Sequence, residues 1–98
     1  MNHNDVAMCL AELGNTHRLS IFRYLVKAGK EGAIVGEIQN ALQIPGSTLN
    51  HHLTRMANVG LIKQEKDGRM VKCIPVYAKL DMIITFLQDE CCVGHILV

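Results

Sequence analysis

Two groups of residues in this 98-residue chain have the types and spacing for chemistry. Near its end, "QDECCVG" sets Cys91 beside Cys92, two soft thiols preceded by two acids. In its middle, "GSTLNHHLTR" brings Ser47, Thr48, Asn50, His51 and His52 together, with Arg55 one turn further on. Small polar side chains on the first turns of a helix can approach phosphates and base edges in a major groove. Paired thiolates instead select soft, thiophilic centres over hard, oxygen-loving ions. The thiols read as an input and the polar helix as an output. The elements that carry them decide whether these readings hold.

Val6, Cys9, Leu10 and Leu13 recur at helical spacing up to Gly14. Thr16 can cap a second helix with the stripe Leu19, Phe22, Leu25 and Val26, ending before Gly29. "KAGKEGA" then reads as loop. Ile38, Ala41 and Leu42 line a short third helix, "QIPG" breaks it, and Leu49, Leu53 and Met56 line a fourth that Gly60 stops. "LIKQEK" and "RMVKCIPV" are extended runs joined by Asp67-Gly68, a hairpin signal. The last helix is expected from about Ala78 to Cys91. Leu80, Ile83, Ile84 and Leu87 form one stripe on it, and Met82 and Phe86 a second apolar face. A helix apolar on two sides is usually buried on two sides, so the second side is expected to meet another subunit.

This order predicts a mainly α fold with a small β-hairpin (α+β), a winged helix-turn-helix. The fourth helix enters the groove, and the hairpin tip, Lys66 to Arg69, touches the neighbouring backbone or minor groove. His52 lies between Leu49 and Leu53, where a histidine can structure the helix instead of reading bases. Asn50 and His51 therefore carry the contact expectation first. The binding set is Ser47, Thr48, Asn50, His51, His52, Arg55, Lys66 and Arg69, with double-stranded operator DNA as partner.

Bulk properties agree. The length predicts one domain over 1–98, with 93–98 as a flexible tail. Apolar residues make up 49% of the chain, with two Phe, two Tyr and no Trp, an aliphatic surface that suits a homodimer. Net charge is only +1, but Pro45 to Lys79 holds six basic residues against two acids, and the remainder four against seven. That segregation suits a polyanion-binding region on an acidic body. No basic-then-apolar start suggests a secretory signal, and no apolar run reaches the ~18 residues of a membrane span. The four cysteines lack the spacing of a secreted disulfide scaffold. The expectation is a cytoplasmic protein with reduced thiols and no membrane partner. No cysteine sits at a helix start, in a phosphate-cradling loop or in a redox motif, so no enzyme is expected.

"LGNTHRLSIFRYL", "GEIQNAL", "STLNHHLTRMANVGLI" and "KDGRMV" together resemble the ArsR/SmtB family of dimeric winged-helix repressors, over about residues 6 to 92. The resemblance implies a dimer through the first and last helices, and repression of an inverted-repeat promoter relieved by an inducer. Pro45 and Gly46 depart from the polar residues common at their positions. The resemblance does not set the inducer. A site on the helix "VGEIQNAL" would need cysteines, and none is there; a zinc site on the last helix would need a histidine two residues after Asp81, where Ile83 stands. "DECCVG" is similar to the terminus of arsenic-responsive members with paired cysteines on the last helix.

Trivalent arsenic takes three sulfur ligands, whereas a monosubstituted organoarsenical is satisfied by two. Cys9 is the candidate third ligand to Cys91 and Cys92, against its reading as a small buried hydrophobe. Cys73, on the second strand of the wing, is expected to face the core. Zinc held by the pair with His3 or His95 is a further option. A redox or reactive-sulfur switch is the main rival. An adjacent-residue disulfide closes a strained ring, and the acidic helix end disfavours the thiolate. A metal-independent winged-helix regulator is the remaining alternative. As(III) or a related metalloid is the expected inducer, with no constitutive cofactor.

Overall fold

Short amide side chains start the first two helices. Asn2 caps α1 (His3–Leu13) by accepting from the Asp5 amide at 2.9 Å, and Asn15 caps α2 (Thr16–Ala28) by accepting from the Arg18 amide at 3.1 Å. Thr16, expected as that cap, is the first helical residue instead; asparagine is the stronger capping type. In the computed structural model, which describes residues 2–94, there follow β1 (Ala33–Ile34), α3 (Val35–Leu42), α4 (Gly46–Asn58), β2 (Ile62–Asp67), β3 (Met70–Pro75) and α5 (Tyr77–Gln88).

The helix-turn-helix is α3 and α4. The Glu37 carboxylate accepts from the Ile34 amide at 3.1 Å and starts α3. Gln43 ends it in the left-handed conformation at φ 53, and its side chain donates to the Asn40 carbonyl at 2.8 Å. Pro45 cannot extend α3, but its carbonyl accepts the first helical bond of α4, from Leu49 at 2.9 Å. Ile44 is buried between the two helices and locks the turn to the core.

The wing is β2 and β3, paired from Ile62↔Pro75 to Asp67↔Met70. Asp67 is itself paired, so the turn is Gly68-Arg69, one residue later than the expected Asp67-Gly68. Gly68, at φ 64, supplies the positive φ that a tight hairpin needs at its first position. The stretch read as loop ends in β1, which pairs antiparallel with β3 through Ala33↔Cys73 and Ile34↔Lys72, giving the order β1-β3-β2. Gly32 makes this pairing possible. At φ 67 it lies against the Cys73 carbonyl, where any Cβ would collide.

Ile21, Leu25, Ile38, Leu49, Leu53, Met56, Leu61 and Ile62 are fully buried and form one core with Cys9 and Cys73. The stripe of α2 is rotated from the expected one: Ile21 joins Phe22 and Leu25 inside, whereas Leu19 is exposed. Ala41 is exposed too. On α5 only Ile83 is buried, with Leu80 and Phe86 packed at the core edge. The Tyr77 hydroxyl donates to the Val26 carbonyl at 3.3 Å, and the His3 ring meets Phe86 edge-on at 4.9 Å between centroids. Met82, Ile84 and Leu87 on α5, with Met8 and Leu10 on α1, remain exposed.

The end of α5 departs from expectation. The helix stops at Gln88, short of Cys91, and Asp89 is its C-cap. Glu90 and Cys92 then take φ values of 58 and 65, which a right-handed helix cannot contain. Asp89 and Glu90 also place negative charge at the negative end of the helix dipole. The cysteine pair lies in the turn beyond α5.

Replacing glycine at the two hairpin-side positions separates turn strain from collision. Gly68→Ala, with nothing within 4 Å of its Cβ, should cost about the 1–2 kcal/mol of a left-handed non-glycine residue. Gly32→Ala should cost clearly more, because β1 must leave β3. Denaturant midpoints of the two variants check the order.

Candidate nucleic-acid interface and thiol site

The α4 helix divides its residues between two faces. Leu49, His52, Leu53 and Met56 are buried, and Ser47, Thr48, Asn50, His51 and Thr54 are exposed. The first-turn amides of α4 have no intrahelical acceptor and point out of its N-terminus, where anions are favoured. A cleft lined by Val35, Gly36, Asn50, Arg69, Met70 and Val71 joins the exposed face to the wing. It brings Asn50 and Arg69, far apart in sequence, to one concave surface. Lys66 and Arg69 are exposed and make no ion pair among the described residues. Lys63 and Lys72 are paired, with Glu65 at 3.5 Å and Glu31 at 3.4 Å.

His52 takes the helix-structuring position that its place between Leu49 and Leu53 allowed, and Arg55 is half-exposed but engaged by an acid. His52 is 8% exposed and turned inward, so it supports α4 instead of facing a groove. Its Nδ1 lies 3.3 Å from Arg18 Nη1. Arginine has only donors, so Nδ1 accepts and His52 is the neutral Nε2–H tautomer. The His17 and His51 rings flank it at centroid distances of 5.8 and 6.2 Å. Burial, first, and then the charge of Arg18 hold its pKa below the ordinary 6.5.

Arg55 is held by Glu12. Its Nε donates to both carboxylate oxygens, at 3.0 and 2.9 Å, and Nη2 donates to Oε1 at 2.8 Å. Arg18 Nε donates to the Glu12 carbonyl at 2.6 Å and lies 3.6 Å from Oε2. Glu12 is 7% exposed, and the hydrogen bonds from Arg55, ahead of any other cause, hold its pKa below 4.5. One buried carboxylate thus joins α1, α2 and α4. Sequence reading missed Glu12, although a signal was present: Val6, Cys9 and Glu12 follow one another at i+3 along the buried face of α1.

Cys91 and Cys92 are exposed, with Sγ atoms 3.0 Å apart. The hydrogen bond to Cys92, ahead of burial, raises the Cys91 pKa above its ordinary 9.0, so the resting Cys91 is a thiol. Cys9 is elsewhere: 1% exposed in the core, its thiol donating to the Val59 carbonyl at 3.5 Å. Burial pushes its pKa up too. Cys73 is buried as expected and accepts from Gln64 Nε2 at 3.8 Å. Among the described residues no three His, Cys, Asp or Glu side chains are grouped to hold a metal ion within one chain. His95 lies outside the described residues, as does the tail beyond Gly94.

A family model for the helix-turn-helix domain matches residues 13–65, more than half of the chain. The chain belongs to the helix-turn-helix domain family. The match covers α2, α3 and α4, the elements that position the exposed polar face of this helix-turn-helix domain. No match is found among curated proteins. Among solved structures, an ArsR-like transcriptional regulator from Rhodococcus sp. RHA1 is similar at 21% identity, with a TM-score of 0.77 over 88% of this chain and 78% of that one. The transcriptional repressor BigR from Xylella fastidiosa is similar at 24% identity and TM-score 0.69, over 91% and 88% of the two chains. A homodimeric winged helix-turn-helix DNA-binding domain from Mycobacterium bovis is similar at 22% identity and TM-score 0.68, over 97% and 88%. The fold is a winged helix-turn-helix like that of these ArsR-like structures, and the matched helix-turn-helix domain implies DNA binding. No described helix is long and apolar enough to cross a membrane.

The depressed His52 pKa has a consequence for stability. An unfolded chain binds a proton that native His52 refuses, so this contribution is complete above the ordinary imidazole range and is lost as pH falls through it. Glu12 adds the same sign further down, below the ordinary carboxylate range. Wild type should therefore lose more of its melting temperature than His52→Gln between about pH 8 and about pH 5. Equal losses would show that His52 is not the responsible group.

Proposed function

We propose that the protein is a homodimeric transcriptional repressor that leaves its operator when a thiophilic metalloid bridges Cys91 and Cys92. The observation that carries the sensing half is the exposed pair of thiols 3.0 Å apart in the turn after α5. A trivalent monosubstituted arsenical brings two hydroxyls; they leave as water with the two thiol protons, and two arsenic–sulfur bonds form. The metalloid displaces the protons, so the raised pKa of Cys91 is no obstacle. Such a site needs reduced thiols, as a cytoplasmic setting supplies.

Two thiols without a third in reach favour an organoarsenical over arsenite. Cys9, occupied with Val59 in the core, would have to leave that position or meet the pair from the other subunit of the dimer. The exposed apolar residues of α1 and α5 support dimerisation through those helices, and one similar structure is homodimeric. The cysteine turn directly follows α5, so ligation there would reorder the helix end and shift the spacing of the two α4 helices. A coupling of about 1–3 kcal/mol is enough to change DNA affinity severalfold to a hundredfold.

Anisotropy of labelled DNA, taken from a random pool by selection with wild type, tests the scheme. Binding should weaken steeply with salt, as phosphate contacts require. Phenylarsine oxide should release the DNA near stoichiometry. Cys91→Ser and Cys92→Ser should each raise the releasing concentration by roughly a hundredfold, the chelate advantage of a second bond. Cys9→Ala should leave phenylarsine oxide release unchanged. Release of both serine variants at the wild-type concentration would place sensing elsewhere. Release by diamide or polysulfide, and not by arsenicals, would favour the redox reading.

A further inference from the structure

We propose that Glu12 is the positioning residue of the reading helix: by holding Arg55 it ties α4 to α1 and keeps that guanidinium away from DNA phosphate. The proposal rests on the DNA-binding reading above and goes beyond it.

By sequence and exposure, Arg55 looks like a phosphate contact. It sits on the last turn of α4, and its side chain is 48% exposed. Yet its Nε and Nη2 are both committed to Glu12, whose side chain is only 9% exposed. A buried carboxylate cannot be left without its partner at low cost. If Arg55 swung out to a phosphate, Glu12 would keep only Arg18 Nε, at 3.6 Å from its oxygen. Bidentate arginine–carboxylate geometry is also directional, so it restrains rotation of α4 about its own axis as well as its distance from α1. The restraint lies on the flank of α4, between the inward face with His52 and Met56 and the outward face with His51 and Thr54. Rotation of α4 is what decides which side chains meet base edges. Glu12 touches no DNA in this scheme. It sets discrimination through Arg55.

Duplex binding across a salt series tests this, using a duplex selected by wild type from a random pool and a scrambled duplex of equal length. Arg55→Gln should leave the salt slope on the scrambled duplex as in wild type, while binding to the selected duplex falls. Glu12→Gln releases the guanidinium to a phosphate, so its slope should steepen by about 0.9. Its ratio of selected to scrambled affinity should fall roughly tenfold, the scale of a lost charge-assisted hydrogen-bonded pair. The double variant Glu12→Gln/Arg55→Gln buries no charge from this pair, and it should show the wild-type slope with the reduced ratio.

An Arg55→Gln slope shallower by about 0.9 would make Arg55 a phosphate contact in wild type and overturn the proposal. So would a Glu12→Gln variant with wild-type slope and ratio. Should a single variant not fold, the double variant decides by the same two readouts. Wild type that binds neither duplex defeats the DNA reading together with this proposal. Wild type that discriminates beside a double variant that discriminates equally well defeats this proposal alone.

Discussion

One buried negative charge organises the helix-turn-helix half of this molecule. The Glu12 carboxylate lies where α1, α2 and α4 meet, with two guanidinia, Arg18 and Arg55, drawn to it from different helices. Apolar packing alone would hold α4 in place but would leave its rotation loosely set, since Leu, Met and Ile side chains tolerate sliding. Directional hydrogen bonds to a desolvated carboxylate do not tolerate it. His52 belongs to the same assembly, accepting from Arg18 in its neutral form. The outward residues of α4 owe their presentation to this inward arrangement.

The two chemical groups of the chain are placed by opposite means. Ser47, Thr48, Asn50 and His51 ride on a helix anchored through Leu49, Leu53 and Met56 and restrained in rotation by the Arg55–Glu12 bonds, so their geometry is set before any ligand arrives. The thiols sit outside regular structure, in a turn with two left-handed residues. The exposed polar face of α4 is thus held rigidly, whereas the thiols are held by a turn alone. The connection between them is α5, whose outer residues Met82, Ile84 and Leu87 lie uncovered in a single chain.

Much of the fold was legible in local signals. Gly60 after α4, the proline after Ile44 and the two extended runs around Gly68 each mark a boundary by backbone chemistry that needs no distant partner. Two differences, β1 and the α2 stripe, fall where a distant partner decides. The strand β1 exists because Gly32 admits the Cys73 carbonyl, a contact across forty residues of chain. Leu19 belongs to a plausible apolar stripe of α2, but the neighbouring helices cover the Ile21 side instead. The helix α5 was extended to Cys91 by its apolar composition, whereas Asp89 and Glu90 end it.

The sequence by itself determined the order of the helices and the hairpin and the exposed polar face of α4, because periodicity, glycine, proline and charge clustering act over a few residues. It also determined that Cys91 and Cys92 share one place, since adjacency is covalent. Tertiary structure alone decided which of the polar residues work inward. His52 and Arg55 differ little in type from His51 and Lys66, and only the packing of α1 and α2 against α4 gives them buried partners. It likewise decided that Cys9, three residues before Glu12 on the same buried face, donates to Val59 within the core. Long-range burial assigns such roles, and nothing in the spacing of residues along a chain records which distant groups will supply it.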